Sequence, residues 1–168
     1  MSARPDLVEC WIQRIPAPGS PAEYLLLHRA PDRIYPGLWQ CVTGRLEPDE
    51  RVPQAALREV REETGLGPDD IEAFYDLDQA ATFYDEGPDA VVTSVIFAVR
   101  AATGAEIRRS AEHDDHAWLA ALPAAERSVW PTYRETLDRL EHLARDPALA
   151  RFFALDPAGH RVARGPRW

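Results

Sequence analysis

One helical segment lies between strand-like segments, and it limits the possible folds more than any other feature of this sequence. Residues 52–64 contain no glycine and are rich in Ala, Leu, Glu and Arg, which favour a helix. Pro53 is tolerated only in the first turn, and Gly65 is typical of the position after the last turn. The sequence therefore predicts a helix over 52–64 that begins close to Arg51.

The segments around this helix predict strands before and after it, with further helices near the end of the chain. Apolar runs between Pro- and Gly-rich turns predict strands at 7–15, 24–29, 38–44, 71–77, 79–84 and 90–100. A short strand is expected after the turn at 103–107, and 116–122 predicts a strand that ends in a turn. Helical spacing predicts a helix over 128–145 and a short one at 147–155. This mixture indicates an α/β protein.

The length and charge of the chain restrict its organisation and partners. The 168 residues suit one domain, which we place at 1–155, followed by a mobile tail at 156–168. The net charge of −9 disfavours nucleic-acid and anionic membrane surfaces as partners, and a polyphosphate would bind only with divalent cations. The sequence has no apolar run of about 20 residues and no basic region followed by an apolar core near its start, so we expect a cytoplasmic protein.

Three carboxylates share one face of the predicted helix. Glu59 and Glu63 lie one turn apart, and Glu62 flanks them. Like charges at this spacing destabilise a helix by a few tenths of a kcal/mol each. Divalent cations bound by oxygen ligands would compensate the repulsion. The alternative is a solvated acidic face made tolerable by Arg58 and Arg61.

The wider pattern around these carboxylates resembles the Nudix hydrolase signature. That signature is a Gly, five residues, a Glu, seven residues, then Arg-Glu-aliphatic-any-Glu-Glu-any-Gly-aliphatic. All nine positions match, at Gly44, Glu50, Arg58, Glu59, Val60, Glu62, Glu63, Gly65 and Leu66. A chance match somewhere in the chain is on the order of one in a million at ordinary residue usage. The chain has Thr43-Gly44 where the family often has Gly-Gly, and the matched glycine is the second.

The resemblance implies a mixed β-sheet sandwiched between α-helices and hydrolysis of a nucleoside diphosphate linked to another group. It implies Mg²⁺, or Mn²⁺ as an alternative, as the cofactor. The implied metal contacts are Glu59, Glu63 and the Gly44 carbonyl. Glu62 would be either a further metal ligand or a group that assists the attacking water. Arg58 would orient these carboxylates with Glu50 as its partner.

A narrower resemblance concerns the segment before the helix. LWQCVTGRLE is similar to a stretch in the dihydroneopterin triphosphate pyrophosphatase branch, which is also associated with dATP hydrolysis. In that branch a Glu-His pair followed by a Trp supplies a metal ligand distant in sequence, which implies this role for Glu112; an ordinary loop carboxylate is the alternative. Trp39 and Gln40 would contact a heterocycle, unless Trp39 simply packs in the core.

Other residues carry weaker indications. Dinucleoside polyphosphate hydrolases of the superfamily often have a tyrosine near the position of Tyr84, although this residue could simply end a strand. Arg29 and Arg33 are candidate phosphate contacts or ordinary surface residues. We interpret His113 and His116 as solvated loop histidines, because their spacing is not a zinc pattern.

The sequence thus favours a Mg²⁺-dependent pyrophosphohydrolase that cleaves a nucleoside or pterin triphosphate to a monophosphate and pyrophosphate. A dinucleoside polyphosphate hydrolase is the alternative among enzymes. A nucleotide-binding domain without catalysis is a third interpretation, which the presence of all three helix glutamates disfavours. The sequence does not indicate the oligomeric state.

Overall fold

A single eight-stranded sheet organises the computed structural model, which describes residues 4–163. The strands are β1 Leu7–Arg14, β2 Glu23–Arg29, β3 Trp39–Gln40, β4 Val42–Arg45, β5 Ile71–Asp85, β6 Ala90–Ala101, β7 His113–Leu119 and β8 Ala154–Leu155. The main path runs β3-β2-β1-β6-β5-β8, while β4 pairs with β1 and β7 with β2. β1 and β6 are parallel and the other pairs antiparallel, so the sheet is mixed.

The two faces of the sheet carry separate apolar clusters. Successive residues of a strand point to opposite faces, and in β1 Cys10 belongs to one cluster and Trp11 to the other. α1, Val52–Thr64, packs Ala55, Ala56 and Val60 into the first cluster. The bounds predicted for this helix are confirmed, and Gly65 adopts the left-handed conformation at φ 75° that ends it.

The second face is covered by helices from the end of the chain. These are α2 Ala121–Arg127, α3 Pro131–Arg145 and α4 Pro147–Ala150. α3 buries one apolar stripe against this face, formed by Tyr133, Leu137, Leu140 and Leu143. Helices therefore lie on both faces of a mixed sheet, which confirms the predicted fold class.

Several local predictions differ from the structure. The short helix expected at 147–155 ends at Ala150, because Ala154–Leu155 pair with β5 as strand β8. The strands expected at 71–77 and 79–84 form the one strand β5, which has an irregular register between Asp76 and Ala80 and a positive φ of 49° at Asp78. No strand follows the turn at 103–107, and the segment runs irregularly to β7. A helix, α2, replaces the turn expected at the end of 116–122, because Ala124 is buried against the second face.

The residues expected to form a mobile tail make defined contacts as far as Val162. The Val162 N–H donates to the Ala154 carbonyl, and the Arg161 guanidinium binds Asp76 at 2.6 Å. Arg51, at the start of α1, donates to the Ala158 carbonyl. Residues 164–168 of the predicted tail lie outside the described residues.

Among residues 4–163, none of the helices is both long enough and apolar enough to cross a membrane.

Candidate active site

Arg58 of α1 binds three acidic side chains. Its guanidinium forms a two-bond contact with Glu50, at 2.9 and 3.0 Å, which lowers the pKa of that carboxyl. The same group binds Glu59 at 2.6 Å and Glu62 at 3.2 Å, and it donates to the Arg45 carbonyl at 3.0 Å. Arg58 thus links the loop after β4 to the acidic face of the helix.

Gly44 lets the Glu59 side chain lie directly against β4. A Cβ at this position would stand 1.9 Å from the Glu59 carboxyl carbon, which no side chain can tolerate without moving Glu59. Glycine is needed here for the close approach of Glu59 and not for an unusual backbone conformation, because the φ of Gly44 is not positive. The Gly44 backbone and the Glu59 carboxylate lie together, as two contacts of one cation would.

Glu63 is the most deeply buried carboxylate of the site. The residue is 5% exposed, and its Oε2 atom has no hydrogen-bond partner among the described residues. Burial raises the pKa of Glu63 to about 9, with further contributions from the negative charges of Glu59 and Glu112. The hydrogen bond from the Thr43 backbone opposes this shift. In the absence of a cation the fold therefore favours the protonated acid at neutral pH.

A backbone clamp brings Glu112 to the helix. The N–H groups of Arg108 and Ser110 donate to the carbonyls of Thr64 and Glu63 at 2.7 and 3.1 Å. These bonds satisfy carbonyls that the end of a helix otherwise leaves unpaired. The clamped segment carries Glu112 close enough for its charge to raise the pKa of Glu63.

The donor set suits a divalent cation, although no His, Cys, Asp or Glu side chains of residues 4–163 converge as a group of three. Instead, Arg58 binds Glu59 and Glu62. The observation that favours a cation is the buried Oε2 atom of Glu63, which has no hydrogen-bond partner in the described part of the chain and lies within electrostatic range of Glu59 and Glu112. Hard divalent cations take oxygen ligands of this kind and compensate their charge.

His113 is buried rather than solvated, which corrects our sequence interpretation. Its side chain is fully buried at the start of β7, and Nε2 lies 4.0 Å from the Glu63 Oε2 atom. Burial lowers the pKa of His113 to about 4, aided by the positive charges of Arg29, Arg109 and Arg33. The ring is therefore neutral at physiological pH. The polar sequence around it gave no signal of this burial.

Trp39 and Gln40 have different surroundings. Trp39 packs against the second cluster, its ring lies beside His28, and the Arg127 guanidinium covers it at 4.8 Å. Gln40 is buried, pairs in register with Leu27 of the first cluster, and donates to the Thr43 hydroxyl at 3.3 Å. Because neighbouring strand residues point to opposite faces, we do not expect both side chains to contact one flat ring.

The remaining candidates lie at different distances from the carboxylates. The positive charge of Arg29 lowers the pKa of Glu63, so Arg29 lies near the site. The Arg29 guanidinium donates to the Ile34 carbonyl at 2.7 Å. Arg33 lies 3.9 Å from Glu112. Tyr84 is exposed in the β5–β6 hairpin and donates to Asp89. The described contacts of Tyr84 thus stay within that hairpin.

Sequence reasoning missed Arg127 as the group covering Trp39. This arginine lies at the end of α2, a helix that the sequence analysis did not predict. No local pattern relates it to Trp39, because the contact depends on how α2 packs against β2 and β7.

The chain belongs to the NUDIX domain family, whose model matches residues 18–140. The family resemblance and the hydrolase class inferred from the sequence motif are thereby confirmed. Members of this family generally use divalent metal ions.

Two curated relatives share part of the sequence. An octanoyltransferase from Myxococcus xanthus is 37% identical over 141 residues, which cover 83% of this chain and 38% of that protein. The chain therefore spans less than half the length of this relative. The nucleoside triphosphatase NudI of Klebsiella pneumoniae is 30% identical over 106 residues, covering 58% of this chain and 73% of that protein.

Solved structures share the fold. The dihydroneopterin triphosphate pyrophosphohydrolase of Escherichia coli superposes with a TM-score of 0.69 at 25% identity, covering 83% of this chain and 96% of that chain. An Ap4A hydrolase of Caenorhabditis elegans reaches 0.70 at 18% identity over 83% and 96% of the two chains. These fold similarities alone do not separate the two substrate classes.

Proposed function

We propose that the protein is a Mg²⁺-dependent pyrophosphohydrolase that converts a nucleoside or pterin triphosphate to a monophosphate and pyrophosphate. The observation that carries this proposal is the Glu63 carboxyl, which is buried with no partner for Oε2 among residues 4–163 and lies within electrostatic range of two further carboxylates. Burying such a group costs free energy unless it has a compensating partner. A cation bridging carboxylate and phosphate oxygens would supply that compensation.

Each side chain of the site has a separate role in this proposal. Glu59, Glu63, Glu112 and the Gly44 carbonyl would hold the cation, with Glu62 as a ligand or as the base that orients water. Bound Mg²⁺ would neutralise phosphate charge and favour ionisation of the attacking water. Arg58 keeps Glu59 and Glu62 in place through the bonds described above. Glu62 is the more exposed of these two carboxylates, as contact with bulk water requires.

The substrate class rests on the surroundings of the carboxylates. Trp39 lies in β3, which β4 and Gly44 follow directly in the chain, so its ring is the candidate contact for a heterocycle. The similarity to NudI, a nucleoside triphosphatase, favours a single triphosphate. The similarity to the pterin triphosphate enzyme supports the same size of substrate.

A panel of three substrates tests the proposal. We expect Mg²⁺-dependent pyrophosphate release from dATP or dihydroneopterin triphosphate, with a higher kcat/KM than for diadenosine tetraphosphate, and no turnover in EDTA. Product masses identify which bond breaks. Faster cleavage of diadenosine tetraphosphate would favour the alternative hydrolase. Tight nucleotide binding without turnover of any substrate would instead indicate a binding domain.

A further inference from the structure

Two buried polar side chains near the end of α1 bring atoms that lack hydrogen-bond partners close to each other. The Nε2 atom of His113 lies 4.0 Å from the Oε2 atom of Glu63. Within residues 4–163, neither atom has another hydrogen-bond partner, and the Nδ1 atom of His113 has none either. A buried polar atom left unpaired is destabilising, because it loses its hydrogen bonds to water without replacing them. A closer approach of about 1 Å would bring the pair to hydrogen-bond length.

The backbone fixes both partners, so a small movement of side chains is enough to join them. Ser110, three residues before His113, donates its N–H to the Glu63 carbonyl at 3.1 Å. The His113 N–H donates to the Ser110 carbonyl at 3.3 Å, and β7 pairs His113 with Arg29 of β2. The imidazole is therefore held against the end of α1.

The chemistry of the two groups determines the direction of the bond. A neutral imidazole has one N–H donor and one acceptor nitrogen, whereas an ionised carboxylate only accepts. An ionised Glu63 can therefore pair with the ring only when Nε2 carries the proton. The bond would use one lone pair of the carboxylate and leave the others for the cation.

We propose that His113 is a positioning residue whose Nε2–H donates to the Glu63 carboxylate and fixes its orientation toward the divalent cation. This inference rests on the proposed function, because it requires Glu63 to be a metal ligand. Partners that orient a metal ligand in this way typically contribute 10–100-fold in metal affinity.

Binding of the metal alone tests the role without relying on turnover. Mn²⁺ titrations followed by electron paramagnetic resonance would give the Kd of the native chain, His113→Met, His113→Gln and the control His116→Met. We expect about a 10–100-fold weaker Kd for His113→Met and substantial recovery in His113→Gln, which retains an N–H donor. His116, half-buried on the same strand, should be replaceable without effect. Thermal unfolding in EDTA checks that each variant is folded.

A native Mn²⁺ affinity in folded His113→Met would overturn the positioning role. The variant Glu63→Gln separates this failure from failure of the proposed function, because only the latter predicts native affinity in Glu63→Gln as well. Nitrogen-15 NMR of the Mg²⁺-loaded native protein gives a second test that needs no variant. A proton on Nε2 supports the bond, and a proton on Nδ1 alone contradicts it.

Discussion

Replacing Glu63 by glutamine should make the metal-free protein more stable while removing its response to Mg²⁺. Glutamine has nearly the shape of the protonated acid and cannot ionise. The native residue, in contrast, is buried next to Glu59 and Glu112, and its pKa is about 9 in the folded protein against 4.5 for an unperturbed group. The substitution therefore removes an ionisation that the fold opposes.

The size of the effect follows from the two pKa values. The folded protein holds the Glu63 proton more tightly than the unfolded chain does. The contribution of Glu63 to the unfolding free energy is therefore fully present below about pH 4.5 and is lost as the pH rises toward 9. Neutral pH lies about 2.5 units above the unfolded value, and each unit corresponds to about 1.4 kcal/mol. The gain in unfolding free energy is thus at most about 3.5 kcal/mol at neutral pH, or roughly 7–14 °C in Tm.

Thermal and urea unfolding in EDTA, measured from about pH 5 to pH 8, would reveal this difference. The unfolding free energy of the variant should exceed that of the native protein most at the alkaline end, because glutamine cannot ionise and so does not lose stability as the pH rises. Exposed Glu135 on α3 provides the matched control, and Glu135→Gln should follow the native curve. Adding Mg²⁺ should raise the Tm of the native protein by mass action and leave that of Glu63→Gln unchanged.

Two results would refute this reasoning. If Glu63→Gln unfolds more easily than the native protein at alkaline pH in EDTA, a partner in the fold stabilises the buried carboxylate. If the variant keeps both its Mg²⁺-dependent stabilisation and its turnover, Glu63 is not a metal ligand.

Three further substitutions test other parts of the site. Glu112→Ala should lower turnover and weaken Mg²⁺ binding with a small effect on metal-free stability, and unchanged kinetics across a Mg²⁺ titration would return Glu112 to an ordinary loop role. Gly44→Ala should displace Glu59 and reduce kcat by about 10-fold or more, as misplacement of catalytic groups does; native kcat would show that Glu59 can move at no cost. Trp39→Ala should reduce the preference for dihydroneopterin triphosphate over diadenosine tetraphosphate in kcat/KM, and loss of activity in Tyr84→Ala alone would contradict this assignment.

The fold could be predicted wherever local signals were sufficient. Pro53 and Gly65 act on their own turns, so the bounds of α1 followed from the sequence. β5 was harder, because its irregularity at Asp78 looks like a turn between two strands, and only pairing with β6 shows that the strand continues. α2 was missed because its formation depends on burial of Ala124 against a distant sheet face.

The candidate site was only partly predictable. Helical spacing alone placed Glu59 and Glu63 on one face, whereas the proximity of Glu112 depends on backbone bonds from the 108–110 loop to the end of α1. The family resemblance suggested that residue, and no rule of spacing could have done so. The burial of His113 depends on strand pairing with Arg29, which its polar sequence neighbours do not reveal.

The contact between residues 156–163 and the start of α1 affects the order in which the protein can assemble during synthesis. Arg51 binds the carbonyl of Ala158, which is 107 positions later in the chain. Gly159 packs so closely on Pro53 that a Cβ there would stand 2.6 Å from it. At about 5–20 residues per second, a ribosome takes roughly 5–20 s to reach these partners. A nascent chain can thus contain every glutamate of the site before residues 156–163 are made. Until then the first turn of α1, the helix that carries Glu59, Glu62 and Glu63, lacks its contacts with that segment.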